Sequence, residues 1–295
     1  MEALHGIIPA MVTPFTANEE ISEPALRRLT NHLIEGGVHG LFPTGSQGEF
    51  WALTADEMRR VWEVVVEETD GRVPVYAGTV AITTRATIAL TKLAQKSGVD
   101  AVSVLTPFYI APNEDELYHH YRAIAESTPL PILLYSNPGR TGGIRFSPDL
   151  VARLAEVENI VGIKDSSGDL QLTAQYVRSA PPDFAVLMGR DTLILGGLLY
   201  GAKGAIAATG NVVPELVVSI YERFKAGDID GARRAQEALI PLRLTFSWGT
   251  FPVVVKEALD LIGLEGGPAR APVGPMSGQR REQLADVLRQ MGALE

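Results

Sequence analysis

A lysine at the end of an apolar run is the residue of this sequence that most clearly suggests chemistry. Lys164 follows the apolar residues 160–163, which predict a buried strand. An ammonium group there is costly unless a carboxylate pairs with it or its pKa falls. A lysine with a lowered pKa is an amine nucleophile that can form an imine with a carbonyl substrate. The alternative is a structural lysine that is paired with Asp165 or Glu49.

A second reactive side chain stands at the end of the preceding strand. The apolar residues 131–134 lead directly into Tyr135. A buried tyrosine taken alone is usually a core residue with a hydrogen-bonded hydroxyl. Next to a nucleophilic lysine, however, its phenol can carry protons. Two such residues at the ends of successive strands therefore predict one site.

The composition limits what the chain can do. Of 295 residues, 46% are hydrophobic and 21% charged, which is typical of a globular protein with a large core. The net charge of -9 argues against nucleic acid as a partner. The absence of cysteine excludes disulfides, thiolate zinc sites and a cysteine nucleophile. No apolar run is long enough for a membrane span, and the N-terminus has no signal-peptide pattern, so we expect a cytoplasmic protein.

Strand-like and helical segments alternate along the chain. The apolar runs that predict parallel strands are residues 7–12, 40–42, 73–77, 101–105, 132–135, 160–164, 185–188 and 204–207. The amphipathic segments that predict helices are residues 23–34, 55–68, 84–95, 114–126, 148–156, 170–178, 193–200 and 215–225.

Eight strand–helix units in succession predict a (β/α)₈ TIM barrel of the α/β class over residues 1–227. Residues 228–295 predict a C-terminal helical region, with helices at 230–244, 253–261 and 279–290. The rival fold is an open doubly wound sheet, which would have a glycine-rich turn after the first strand. Residues 13–16 do not provide one, so the barrel is favoured.

Polar residues follow most of the predicted strands, at the end where barrel enzymes carry their active sites. They include Ser46 and Gln47 after the second strand, Tyr109 after the fourth and Arg140 after the fifth. Gly189 and Asp191 follow the seventh strand, and Asn211 follows the eighth. Backbone N–H groups of residues 44–49 could bind a carboxylate, although such a segment could also be an ordinary turn. The five histidines show no metal-ligand spacing, and we expect the pair His119-His120 to be a solvated part of a surface helix.

Taken together, these segments resemble the dihydrodipicolinate synthase / N-acetylneuraminate lyase family of pyruvate-dependent class I aldolases. Five ordered motifs carry the resemblance over nearly the whole chain: residues 8–15, 45–49, 105–109, 135–141 and 162–168. The resemblance implies a (β/α)₈ barrel with a C-terminal helical region. It also implies a homotetramer built as a dimer of dimers.

The resemblance also implies a role for each matching residue. Lys164 corresponds to the lysine that forms a Schiff base with pyruvate, and Tyr135 to the hydroxyl that moves protons. Ser46 and Gln47 correspond to the pair whose backbone amides hold the pyruvate carboxylate, and Tyr109 to a tyrosine donated by the neighbouring subunit. Arg140 matches the arginine that binds the carboxylate of the second substrate. Ile206 matches a residue whose carbonyl faces the pyruvate site.

The chemistry of an imine requires no metal or other cofactor, because the protonated imine itself accepts the electron pair. We therefore expect none. Gln47 departs from the resemblance, since dihydrodipicolinate synthases usually have a second threonine there and sialic acid lyases have Ser-Thr. Because Gln47 is larger and has no hydroxyl, the resemblance does not determine the identity of the second substrate. Asp191 and Asn211 could bind the hydroxyls of a sugar acid.

Several functions remain open on the sequence alone. Synthesis of dihydrodipicolinate from pyruvate and aspartate semialdehyde competes with an aldolase or dehydratase acting on 2-keto-3-deoxy sugar acids or 4-hydroxy-2-oxo acids. A protein that binds 2-oxo acids without turnover has no need of Lys164, Tyr135 and Ser46 together. A phosphate-binding barrel enzyme would use the glycine-rich loops after the last two strands instead.

Overall fold

A computed structural model of the chain describes residues 4–294. This part of the chain forms seven β-strands in one parallel sheet, together with eleven α-helices. The strands are β1 Gly6–Pro9, β2 Tyr76–Gly78, β3 Ala101–Leu105, β4 Ile132–Ser136, β5 Ile160–Asp165, β6 Ala185–Met188 and β7 Gly204–Ala207. All of them run through the core, which explains their continuous apolar sequences.

The sheet closes on itself through a segment that is not a regular strand. Its strand order is β1-β7-β6-β5-β4-β3-β2, and residues 39–43 lie between its two ends. The parallel bridges Ala10–Phe42 and Leu41–Val75 join this segment to both neighbours. The predicted (β/α)₈ barrel is therefore confirmed, but the predicted second strand at 40–42 is reduced to isolated bridges.

The helices surround the barrel and then continue beyond it. They are α1 Glu23–Glu35, α2 Ala55–Thr69, α3 Thr84–Lys96, α4 Glu114–Ala125, α5 Pro148–Ala155, α6 Leu170–Ser179, α7 Ile194–Leu199, α8 Pro214–Lys225, α9 Ile229–Thr245, α10 Val253–Leu261 and α11 Gly278–Gln290. Every predicted helix is present, with ends that differ by one residue at most. At Thr54 and Asn113, the capping residues expected from the sequence accept hydrogen bonds from the third helical N–H group.

The C-terminal helices are tied to the barrel by a buried ion pair. Lys256 on α10 places its Nζ 2.5 Å from Glu49 Oε1, and both side chains are fully buried. Lys256 Nζ also donates to Pro268 O at 2.7 Å. The division into residues 1–227 and 228–295 stays a prediction, but this pair links the second region directly to the loop after residues 39–43.

One predicted surface residue is buried. His119 is exposed on α4, as expected, but His120 is only 6% exposed. Its Nδ1 lies 2.9 Å from Thr84 Oγ1 on α3. The expectation that both histidines are solvated was wrong for His120, because adjacent residues of a helix point to different faces and α3 covers one of them.

Candidate active site

Lys164 and Tyr135 stand side by side at the carboxyl end of the barrel. They are direct partners in the parallel register of β4 and β5. Lys164 Nζ lies 4.1 Å from the centroid of the Tyr135 ring and 4.8 Å from that of Phe42. Both side chains are buried, with exposures of 4% and 3%. Lys164 and Tyr135, which end successive strands in the sequence, are thus in contact in the barrel.

Neither carboxylate that could have paired with Lys164 does so. Glu49 is paired with Lys256, and Asp165 accepts hydrogen bonds from Ser167 N at 2.9 Å and Thr173 Oγ1 at 2.7 Å. Among residues 4–294, no carboxylate oxygen lies within 4.0 Å of Lys164 Nζ. The interpretation of Lys164 as a salt-bridged structural lysine therefore finds no support in the described chain.

The surroundings of Lys164 favour its neutral form. Burial lowers the pKa of Lys164 below its ordinary value, against the opposing effects of Tyr135 and Asp191. At a given pH, a larger fraction of Lys164 is therefore the free amine, which carries the nucleophilic lone pair, than in an exposed lysine.

The hydroxyl of Tyr135 is held in a short hydrogen-bonded chain. Asn137 Nδ2 donates to it at 3.0 Å, and Ser46 Oγ lies 3.4 Å away. Burial acts to raise the pKa of Tyr135, whereas the positive charge of Lys164 in its protonated form and these hydrogen bonds lower it, and the net effect is a lowered pKa. A phenol with these partners can give up and regain a proton next to the lysine. Asn137 was not among the site residues predicted from the sequence.

The loop that carries Ser46 and Gln47 is held at both ends, by Thr44 and by Glu49. Thr44 and Glu49 adopt left-handed backbone conformations, with φ values of 52° and 56°. Thr44 Oγ1 donates to Gly78 O at 3.0 Å and accepts from Trp62 Nε1 at 2.6 Å. Such conformations persist only where the surroundings enforce them, as is common at binding sites. The loop is therefore a rigid platform and not merely a turn that leads into a helix.

Gln47 lies on this platform with an unsatisfied acceptor. Its side chain is 6% exposed, and within the described chain its Oε1 is buried without a hydrogen-bond partner. The residue lines a cavity of about 390 Å³ that Lys164 and Tyr135 also line, and a small apolar one that Phe246 and Phe251 line. A buried amide without a partner is costly, which makes Gln47 a candidate contact for a bound molecule.

A cavity of about 390 Å³ brings most of the predicted site residues together. Those that line it are Ser46, Gln47, Tyr135, Arg140, Lys164, Gly189, Asp191 and Ile206. The cavity walls also include polar residues to which no role was assigned from the sequence: Asn137, Ser166, Arg190, Arg243 and Ser247. Arg243 and Ser247 come from the C-terminal helical region, and no nearby motif could have indicated that they reach the barrel rim.

Three predicted residues have particular surroundings at the rim. Gly189 packs so closely on the end of β5 that a Cβ there would lie 2.0 Å from Ser166 Oγ. Asp191 lines the cavity, but its Oδ1 already accepts from Thr209 N and Thr209 Oγ1, each at 2.7 Å. Ile206 lies on β7 at the cavity wall.

The structure does not bring Asn211 to the cavity. Its Nδ2 donates to Ala10 O at 2.7 Å and to Ala208 O at 2.8 Å, and its Oδ1 accepts from Val12 N at 3.1 Å. All of these partners are backbone atoms at the edge of the barrel. Asn211 is therefore placed to hold β1 against the segment after β7, and not to bind a substrate hydroxyl.

Tyr109 also lies away from the cavity of its own chain. Its side chain is 97% exposed, and its backbone is left-handed with φ 72°. The neighbouring Ile110 is 48% exposed. A strained loop that presents two large apolar side chains to solvent fits a contact with another molecule better than a contact within the chain.

Residues 4–294 contain neither a candidate metal cluster nor a helix that could span a membrane. No group of three or more histidine, aspartate and glutamate side chains is arranged to hold a metal ion there. No helix in the same range has the length and apolarity needed to cross a membrane.

Comparison with known proteins identifies a family for this chain. The model of the dihydrodipicolinate synthetase family matches residues 3–291. The 4-hydroxy-tetrahydrodipicolinate synthase of Methanopyrus kandleri is 40% identical over 293 residues, or 99% of this chain and 97% of that protein. A dihydrodipicolinate synthase structure from Bacillus anthracis has a TM-score of 0.95 at 38% identity, covering 98% and 99% of the two chains. A prophage protein of the same family from E. coli K12, solved in complex with pyruvate, has a TM-score of 0.94 at 34% identity, covering 98% and 99%.

Proposed function

The chain belongs to the dihydrodipicolinate synthetase family, and from this premise and the geometry of the site we propose that it is a 4-hydroxy-tetrahydrodipicolinate synthase. It is a class I, Schiff-base-forming lyase that uses pyruvate. The observation that carries this assignment is Lys164, a buried amine that contacts Tyr135 and, within the described chain, has no carboxylate partner. A protein that only binds 2-oxo acids would have no use for such an amine beside a proton-carrying phenol.

The reaction starts with attack of neutral Lys164 on the ketone carbon of pyruvate. The resulting carbinolamine loses water and becomes a protonated imine, and the Tyr135 hydroxyl supplies and removes the protons of these steps. Its chain to Ser46 and Asn137 supports the proton transfer. The pyruvate carboxylate binds to the backbone N–H groups of the loop at Ser46 and Gln47, which the rigid platform holds in place.

Carbon–carbon bond formation follows from the imine. Loss of a proton from the methyl group gives an enamine, which attacks the aldehyde of aspartate semialdehyde. The amino group of that substrate then attacks the imine carbon, closes the ring and releases Lys164. Arg140 lines the cavity, which supports a role for its guanidinium group in binding the carboxylate of the second substrate.

The alternatives within the same chemistry differ in the second substrate. A 2-keto-3-deoxy sugar acid or a 4-hydroxy-2-oxo acid would also react through a Lys164 imine, in aldol cleavage or dehydration. Hydroxyl recognition by Asn211 is not supported, since its side chain is occupied by backbone contacts. Arg140, by contrast, faces the cavity, and this favours a carboxylate-bearing aldehyde.

We also propose that the active form is a homo-oligomer, a dimer of dimers. The exposed Tyr109 and Ile110 support a contact in which Tyr109 completes the site of a neighbouring copy. The cytoplasmic location expected from the sequence stays a prediction.

A substrate panel tests the assignment. The purified protein is incubated with pyruvate and L-aspartate 4-semialdehyde, and in parallel with 2-keto-3-deoxygluconate and 4-hydroxy-2-oxoglutarate, and each reaction is followed by mass spectrometry. We expect the highest kcat/KM for condensation with the semialdehyde. A higher kcat/KM for cleavage or dehydration of one of the other acids would replace the proposed reaction with that one.

A further inference from the structure

Positive groups are concentrated around the cavity of a protein whose net charge is -9. Three arginines, Arg140, Arg190 and Arg243, line it. Asp191 is the only carboxylate among the described residues of the lining. Three guanidinium groups therefore face one carboxylate in a confined space. This excess favours a ligand with more negative charge than pyruvate alone supplies.

Arg243 is held in place by Phe246 and Asp191, but part of its hydrogen-bonding capacity is free. It lies in the last turn of α9, with its guanidinium carbon 4.8 Å from the centroid of the Phe246 ring. Its Nε lies 3.5 Å from Asp191 Oδ2, and Thr209 holds the other oxygen of that carboxylate. Within residues 4–294, no protein group accepts a hydrogen bond from the two terminal nitrogens of Arg243. These nitrogens are available to a ligand.

Arg140 is held in a similar way. Its guanidinium carbon lies 4.3 Å from the centroid of the Phe251 ring, and in the described chain it forms no ion pair. Stacking on an aromatic ring fixes the plane of a guanidinium group and leaves its N–H edge free for a planar acid. Phe246, Phe251 and Gln47 all line one small cavity, so the two aromatic rings on which the arginines stack lie close to Gln47.

We propose that Arg243 is a specificity-determining residue that binds the acid end of the second substrate together with Arg140. The inference rests on the proposed function, because the second substrate meets the pyruvate imine in this cavity. Asp191 acts as a positioning residue that aims Arg243 at the cavity. The unpartnered Oε1 of Gln47, which lines the same cavity as the two arginines, is an acceptor for a donor group of the same molecule.

A purely structural role of Arg243 makes a different prediction. If Arg243 only neutralised Asp191, its removal would leave an unpaired carboxylate that repels an anionic substrate. Removing both charges would then restore binding. Direct binding by Arg243 predicts that the double variant remains defective.

The test uses enzyme whose site already holds the pyruvate component. The protein is treated with pyruvate and borohydride, which fixes a reduced adduct on the lysine, and succinate is then titrated calorimetrically. Succinamide serves as the uncharged ligand of the same length. We expect succinate to bind, succinamide not to bind, and Arg243→Gln to weaken succinate binding by about tenfold or more, the effect expected for a lost charge-assisted hydrogen bond.

Two controls complete the design. Arg233→Gln removes the same charge from the exposed face of α9, where Arg233 pairs with Glu237, and should leave the dissociation constant of succinate unchanged. Asp191→Asn combined with Arg243→Gln should bind as weakly as Arg243→Gln alone. Undiminished succinate binding by Arg243→Gln, or recovery in the double variant, would overturn the inference while leaving the proposed function intact. Failure to form the adduct at all would remove the proposed function itself.

Discussion

Glu49 and Lys256 form a fully buried ion pair that joins the loop carrying Ser46 and Gln47 to the C-terminal helices. Their charged atoms lie 2.5 Å apart, and Glu49 Oε2 also accepts a hydrogen bond from Arg270 N at 3.0 Å. Burial lowers the pKa of Lys256 from 10.5 to about 8. The C-terminal region is thus part of what holds Ser46 and Gln47 in position.

The first prediction concerns this pair. Lys256→Met leaves the carboxylate of Glu49 buried without a counter-ion, so we expect it to lower the free energy of unfolding by about 3–5 kcal/mol. Urea denaturation measures the change. Adding Glu49→Gln should recover part of the loss, because no charge then stays buried. Arg122→Met breaks the exposed pair with Glu126 and should cost at most about 1 kcal/mol. If Lys256→Met lowered the free energy of unfolding by no more than Arg122→Met does, the result would contradict the stabilising role of the buried pair.

The second prediction concerns the proton relay. Tyr135→Phe keeps the ring on which Lys164 packs but removes the hydroxyl, so we expect imine formation to slow by about 100-fold or more. The rate of imine formation is measured by quenching the reaction with borohydride at successive times and quantifying the reduced pyruvate adduct. Ser46→Ala should slow the same step less. Because both hydroxyls belong to one chain, the double variant should be little slower than Tyr135→Phe alone. Effects that simply multiply would show that Ser46 acts outside the relay.

The third prediction concerns Tyr109. Lys164→Ala and Tyr109→Phe should each be strongly impaired as pure proteins. In a mixed dimer, the chain that keeps Lys164 receives an intact Tyr109 from its neighbour. Refolding or exchanging the two variants in equal amounts should therefore restore about a quarter of wild-type activity, as random pairing through a two-fold interface requires. Activity that does not exceed the average of the two separate variants would place Tyr109 in its own chain's site or outside the mechanism.

The fourth prediction concerns acid stability. Burial lowers the pKa of His120 from 6.5 to about 4. Between these values the unfolded chain binds the proton and the folded one does not, so stability is lost as the pH falls from 6.5 to 4. Protonation of His120 in the unfolded chain lowers the free energy of unfolding by about 3 kcal/mol over this range. Chemical denaturation across this range should show a smaller pH dependence for His120→Gln than for wild type. The exposed neighbour His119→Gln is the control, and an equal effect of both variants would contradict the assignment.

The sequence was sufficient for the fold because its signals are local and repeated. Each predicted helix carries its own amphipathic pattern, and several carry a capping residue such as Thr54. The second strand was harder to define, since pairing in residues 39–43 is limited to the bridges at Leu41 and Phe42. Whether a short apolar run forms a regular ladder depends on its neighbours and not on its own sequence.

The residues of the candidate site could be predicted where they belong to a local sequence motif, but not where only tertiary packing brings them to the cavity. Lys164 and Tyr135 end strands, and the barrel brings strand ends together at one face. Arg243 lies in a different region of the sequence, and only the packing of α9 on the barrel places it at the cavity. Asn211 shows the opposite case. It follows a strand as a site residue would, but the backbone around Ala10 and Ala208 uses its hydrogen-bonding capacity.

The central claim is that Lys164 forms an imine with pyruvate, and borohydride trapping tests it most directly. The protein is incubated with pyruvate and sodium borohydride, digested, and mapped by mass spectrometry. We expect one reduced pyruvate adduct per chain, located on Lys164, and no adduct in Lys164→Ala. The absence of an adduct, or its presence on another lysine such as Lys256, would contradict the mechanism proposed for this site.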